Sequence, residues 1–216
     1  LRALELNPGY TTAHQWYSIN LGALGRETEA VGEAQRALDL DPLSPIQNLF
    51  LGRQQYFAAD YVAAERQLRK TIELAPDLPM ARHYLGRVYL ERGDLSSAIR
   101  ALEEGARLVG RPTGDLGYGY GVTGDKPAAR RVLGRLIAES QRQYVHPLEM
   151  ALVYLGLGDN TRAVDWILKE YAEREGVVQD LVIDPRLRSI SDDPRFQAIL
   201  QKSGLKYVPG RVSAQS

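Results

Sequence analysis

Two short stretches of this 216-residue chain carry residue types at spacings that chemistry can use. Residues 119–124 read Gly-Tyr-Gly-Val-Thr-Gly, with Lys126 just beyond, a formal match to the glycine fingerprint that lays a pyrophosphate on backbone amides. That chemistry needs a strand before the first glycine and a helix opening at the last. Here the surrounding pattern makes the stretch a helix that ends at Gly124, so its glycines serve close packing. His146 and Glu149 stand three apart, which puts both on one helical face. A catalytic zinc site takes three protein ligands, and only His14 and His83 remain elsewhere. A solvated histidine ahead of Pro147 is the plainer reading. No serine, histidine and acid set, carboxylate pair or phosphate loop has a context that assembles it, so the chain is expected to be no enzyme and to use no cofactor.

Bulk composition narrows the partners. Basic and acidic side chains number 27 each, so no global charge draws nucleic acid or anionic lipid. The absence of cysteine removes disulfides, thiol nucleophiles and Cys-type zinc sites, and fits a reducing, cytoplasmic setting. No apolar run approaches the roughly 18–20 residues of a membrane span. The opening Leu-Arg-Ala-Leu-Glu-Leu-Asn-Pro reads as the end of a helix, which suggests a fragment whose upstream part is missing.

The elements that must position any site are set by a period. Residues 79–112 read as helix, tight turn at Gly93-Asp94, and helix, with apolar residues at helical spacing on two faces. Neither helix can bury its stripe alone. Leu85, Tyr89, Gly93, Ala98, Leu102, Gly105 and Gly110 of this unit correspond, 34 residues earlier, to Leu51, Ala64, Leu68, Thr71 and Pro76, and 34 earlier again to Tyr17, Leu21, Gly25, Ala30, Ala34, Ala37 and Pro42. The next unit fits only if it begins three residues early, at Gly110. It carries Gly114, Gly117, Gly119 and Gly121, each costing about 0.5–1 kcal/mol against alanine in a helix, and so is the expected soft point. A fifth unit from Tyr144 restores the step.

This 34-residue step, with apolar residues at positions 4, 7, 8 and 11, small residues at 20 and 27, and proline at 32, resembles the tetratricopeptide repeat. The resemblance implies an all-α, right-handed α–α superhelix of about five helical pairs: residues 1–10 ending a truncated repeat, repeats starting near 11, 45, 79, 110 and 144 through 175, a cap over 176–205, and a disordered tail over 206–216. Position 4 departs from the family, holding His14, Asn48 and Arg82 where tryptophan is usual. Residues 144–167 with 184–205 also resemble the closing regions of bacterial modules fused behind winged-helix regulators, serine/threonine kinases or adenylate cyclases. In the tail, Pro194 to Lys202 reads as a short helix closed by Gly204, covering the open face of the last repeat.

In this family, positions 2, 5, 6, 9, 12 and 13 of each first helix line a concave groove. Position 6 then holds Trp16, Phe50, Tyr84, Asp115 and Glu149, and position 9 holds Ile19, Arg53, Arg87, Tyr118 and Leu152. Trp16, Ile19, Phe50, Arg53, Tyr84, Arg87 and Tyr118 are therefore the expected partner-binding residues. The same spacing also suits a core, with Trp16 or Phe50 filling space between first helices. A guanidinium meeting both a ring and a carboxylate in a half-enclosed groove contributes about 2 kcal/mol, which favours an extended, partly apolar, acidic peptide. The family's carboxylate clamp is absent, its places held by Gln15, Ile19, Phe50, Met80 and Tyr84. The expected function is a protein-interaction scaffold without direct nucleic-acid binding or membrane insertion. The alternatives are the regulatory half of a larger regulator, kinase or cyclase, with a fused N-terminal domain, or a self-assembly module.

Overall fold

The computed structural model describes residues 2–173 and 181–207. Residues 174–180, where the fifth unit was expected to end and the cap to begin, and most of the expected tail, 208–216, lie outside the described residues. The described chain is all helix, with no strand. After a short α1 (Arg2–Leu6) come five pairs: α2 (Thr11–Ala23) with α3 (Glu27–Leu40), α4 (Pro45–Phe57) with α5 (Tyr61–Leu74), α6 (Pro79–Glu91) with α7 (Leu95–Val109), α8 (Gly114–Val122) with α9 (Lys126–Ser140), and α10 (Pro147–Leu157) with α11 (Asn160–Glu173). Each helix packs on its predecessor, and each first helix also packs on the next first helix, so α2, α4, α6, α8 and α10 form one layer.

The period is written into the turns. A residue with positive φ closes each first helix at Gly25, Ala59, Gly93, Gly124 and Gly158. The steps from 25 to 59, 59 to 93 and 124 to 158 are 34 residues each, while 93 to 124 is 31. In the last four pairs an aspartate follows at once and caps the second helix. Asp60, Asp94, Asp125 and Asp159 accept from the amides of Ala63, Ser97, Ala128 and Arg162 at 2.9–3.1 Å. That bond satisfies one of the helix's orphan donors. Close approach within a pair also recurs: a Cβ on Gly52 would stand 2.9 Å from Leu68 Cγ, and one on Gly86 2.6 Å from Leu102 Cγ.

The departures at position 4 have a shared geometry. His14 Nε2 meets the Pro8 carbonyl at 2.8 Å, Asn48 Nδ2 donates to the Pro42 carbonyl at 3.1 Å, and Arg82 Nη1 donates to the Pro76 carbonyl. In each case the partner lies six residues back, in the turn that ends the preceding unit. A polar side chain here ties one repeat to the next and satisfies a carbonyl no helix can reach.

The slip of three residues shortens α8 at its start, and its glycines are covered. A Cβ on Gly114 would stand 2.6 Å from Glu149 Cα, and one on Gly121 would overlap the backbone of Gly156. Far from open, this stretch holds the backbones of α8 and α10 in direct contact.

The closing segment packs on the last pair and reaches beyond it. An α12 (Pro194–Lys202) does pack on α11, and Gly204 has φ +68°. The 3-10 helix Pro185–Ile190 packs on α10 and α11, while Ile183 ahead of it reaches α2 and α4 and Arg186 reaches α8. Leu181, Val182, Ile183 and Leu187 are buried in the same apolar cluster as Tyr56, Phe57 and Tyr84. Each such aliphatic side chain gains about 1.5–3 kcal/mol on leaving water, which an end cap reaching only α11 would forgo.

Candidate functional site

On α4 the residues Ile46, Phe50, Arg53 and Phe57 follow one another at helical spacing along one stripe, and on α6 Met80, Tyr84, Arg87 and Glu91 do the same. On α2 the stripe runs from Trp16 to Ala23. These are the stripes expected to line the concave groove, and the face they form has two differing halves. Toward the C-terminal ends of the helices, Ala23, Arg53, Tyr56, Phe57 and Tyr84 are buried. Toward the N-terminal ends, Trp16 is 58% exposed, Ile46 43% and Met80 49%, with Phe50 half-buried.

The buried half is covered by the chain's own residues 181–187. Ile183 Cδ1 lies 3.7 Å from the Cβ position of Gly22, and the same side chain meets Gln54, Phe57 and Ala58 around a small cavity. Arg186 crosses to α8, where its Nη1 donates to Asp115 Oδ1 at 2.6 Å and its guanidinium stands 5.7 Å from the Tyr118 ring centre. Asp184 holds that arginine in place. Its Oδ1 accepts from the Arg186 amide at 3.0 Å and from Nε at 2.9 Å, and its Oδ2 accepts from Nη2 at 2.5 Å. Tyr207 donates to the Asp184 carbonyl at 3.0 Å.

The two expected arginines are committed within the chain. Arg53 Nε donates to the Tyr84 hydroxyl at 2.9 Å, with its guanidinium 4.8 Å from the Phe57 ring centre. Arg87 lies 4.4 Å from the Tyr84 ring centre and forks onto Asp115, Nε to Oδ1 at 2.7 Å and Nη2 to Oδ2 at 2.9 Å. An incoming carboxylate therefore does not find these guanidiniums open, and the acidic peptide expected from the sequence is corrected on that ground. Tyr84 and Ile19 are buried, Tyr118 is partly buried, and Trp16 and Phe50 remain accessible.

Asp115 is the electrostatic centre that sequence reasoning left unassigned. Burial alone pushes its carboxyl up, but the Arg87 and Arg186 guanidiniums more than offset this and hold it well below its ordinary 3.8. Burial likewise opposes the charge of Asp184, and Arg186 pulls it below the usual range. His83, with Nδ1 3.8 Å from Asp115 Oδ2, is driven down by burial, against the pull of that carboxylate. Burial pushes the Tyr118 phenol up to about 12. One clue to Asp115 was available: with it the position-6 ladder turns from aromatic to acidic, directly after Gly114, and a charge there must be paired.

The sequence's catalytic candidates are not brought together. Gly119 and Gly121 lie inside α8, with their carbonyls accepting from Thr123 and Gly124. His146 Nδ1 meets the Glu170 carboxylate at 3.0 Å, whereas Glu149 accepts from Arg111 and from the Gly114 amide. Among the described residues no group of three or more His, Asp or Glu is placed to hold a metal ion, and no helix is long and apolar enough to cross a membrane. A shallow hollow on α5, lined by Val62, Glu65, Arg69 and Glu73, is wide open and mixes both charge signs.

No protein-family model matches the chain. Among curated proteins it is similar to human tetratricopeptide repeat protein 13, with 28% identity over 103 residues. That alignment spans 48% of this chain and 12% of the relative. Among solved structures it resembles TTC0263, a thermophilic TPR protein of Thermus thermophilus, with a TM-score of 0.60 at 22% identity over 84% of this chain and 97% of that one. It also resembles the APC/C hetero-tetramer Cut9–Hcn1, with a TM-score of 0.58 at 19% identity, over 86% of this chain and 38% of that one.

Proposed function

For a chain that folds as a tetratricopeptide-repeat solenoid, a right-handed α–α superhelix, we propose the function of a non-enzymatic protein-interaction scaffold that binds a peptide or partner helix on its concave face. The observation that carries this reading is that the face already receives a compact segment of the chain: residues 181–187, a turn leading into the 3-10 helix, lie against α2, α4 and α8 with their apolar side chains buried. A surface that takes in such a segment supplies both an apolar floor and polar anchors. The part left open, Trp16, Ile46, Phe50 and Met80, is where a partner makes first contact. An exposed tryptophan beside accessible aliphatic groups has the make-up of an interaction hot spot.

A photo-cross-linking residue placed at Trp16 or Met80, against one at Arg131 on the exposed side of α9, tests this. The reading expects the same partner to be captured from both concave positions and not from Arg131. Equal capture at all three sites would count against it.

A further inference from the structure

The segment in the groove and the segment after it share a design. Asp184-Pro185-Arg186 and Asp193-Pro194-Arg195 each close on themselves. In the second, as in the first, the aspartate Oδ1 accepts from the arginine amide (2.8 Å) and Nε (3.2 Å), and Oδ2 accepts from Nη2 (2.9 Å). In both, the remaining Nη1 is handed outward to a carboxylate on the repeats, Asp115 in one case and Asp165 in the other, at 2.6 and 2.7 Å. One copy is buried and the other partly exposed, yet the internal geometry is the same. The arrangement is therefore a property of the tripeptide itself. Proline presets φ and opens the turn, and the aspartate caps that turn while orienting a planar fork.

A self-organised anchor of this kind is portable. The receiving surface needs only an apolar floor and one carboxylate, and Tyr56, Phe57 and Asp115 supply these. We propose that the half of the concave groove beneath residues 181–187 is a binding site for a partner segment of the form apolar-apolar-apolar-Asp-Pro-Arg-apolar, which the chain's own segment occupies until such a partner displaces it. The proposal rests on the concave face being a protein-binding surface and adds the chemistry of the ligand. Arginine is required because one guanidinium must satisfy the capping aspartate and still reach Asp115, a division of donors that the ammonium of lysine does not provide. A tethered segment competes at an effective concentration in the millimolar range, so an outside ligand sees only the fraction of molecules that are open.

The test uses a fluorescent peptide of sequence LVIDPRLRSI, identical to residues 181–190, and measures its binding by anisotropy to the whole chain and to the Asp184→Ala/Arg186→Ala chain. Circular dichroism first establishes that the variant remains helical. The expected result is binding at least tenfold tighter to the variant than to the unaltered chain. That gain should be lost when the peptide's arginine is replaced by alanine, or when Asp115→Asn is added to the chain. Equal affinity for both chains, or no binding by a folded variant, would overturn the proposal. If the variant does not fold, hydrogen exchange on the unaltered chain decides. Millimolar peptide should speed exchange of the Arg186 and Leu187 amides, which are bonded to Asp184, without changing that of α4, and unchanged exchange there overturns the proposal. Failure here with partner capture intact at Trp16 would reject the ligand chemistry and leave the scaffold reading standing.

Discussion

Arg186 reaches Asp115 across 71 positions of sequence, placing its Nη1 2.6 Å from the same Oδ1 that receives Arg87 Nε. One carboxylate thus neutralises an arginine of the third pair and an arginine of the returning segment. The side chains are nearly dry, with Arg186 3% and Asp115 11% exposed. Removing the shared acid strands the Arg87 cation and leaves Arg186 with Asp184 alone.

Asp115→Asn is therefore expected to cost about 3–5 kcal/mol, the range for breaking a buried ion pair by removing one partner. Urea denaturation checks this. In a double-mutant cycle with Arg186→Gln, the coupling should exceed about 0.5 kcal/mol, the limit within which independent sites add. Additivity would mean that the contact carries no energy of its own.

His83 and Asp115 give stability two separate pH dependences. The folded pKa of His83 is below 6.5, so from about pH 6.5 downward the unfolded chain binds a proton that the folded chain refuses, and stability falls. Asp115 has a folded pKa well below 3.8, so its contribution is fully present above about pH 4 and declines as the pH drops through the acid range. Melts of His83→Asn should lose the first slope, at most about 1.4 kcal/mol per pH unit, and keep the second.

Glycine substitutions should split by what covers them. Gly121→Ala forces a methyl into the backbone of Gly156 and is expected to destabilise by about 1–3 kcal/mol. Gly134, on the exposed side of α9, has nothing within 4 Å of its Cβ position, and Gly134→Ala should stabilise by about 0.5–1 kcal/mol. Thermal melts of both variants compare them directly, and a destabilised Gly134→Ala would show that this helix face is covered.

Ala59 is the one turn residue in the series that is not glycine, yet it holds φ at +58°. The left-handed conformation costs an L-residue about 1–2 kcal/mol. After glycine's extra unfolded-state entropy of about 0.5–1 kcal/mol, Ala59→Gly should gain a few tenths to about 1 kcal/mol. A lower midpoint in denaturant would refute this.

The fold was legible because its determinants are local and repeated. Gly93-Asp94 and its counterparts at 124–125 and 158–159 each encode a turn and a cap within two residues, and the slip before Gly114 is visible as a step of 31. The glycine run was legible as close packing, though not as contact with the backbone of α10, since that partner lies about one repeat away. The concave stripes were legible through helical spacing. What they would touch was not. An Asp-Pro-Arg turn reads identically whether its arginine points to Asp165 on the neighbouring helix or to Asp115 far upstream. The difference lies in Leu181, Val182 and Ile183 ahead of the first copy, whose burial sends that segment into the groove. His14, Asn48 and Arg82 looked like losses from the repeat pattern because their shared acceptor is a backbone carbonyl, which no side-chain pattern records.

The two Asp-Pro-Arg anchors lie in series along the closing segment, and they differ in how deeply they are set. A pull applied beyond Tyr207 would load the bond from Tyr207 to the Asp184 carbonyl, and with it the inner anchor, before it reached the pair of Arg195 and Asp165, 40% and 57% exposed. Such a chain does not peel from its outer end, because the dry contact of Arg186 with Asp115 takes the load first. The groove would then open by a threshold of tension rather than in proportion to it.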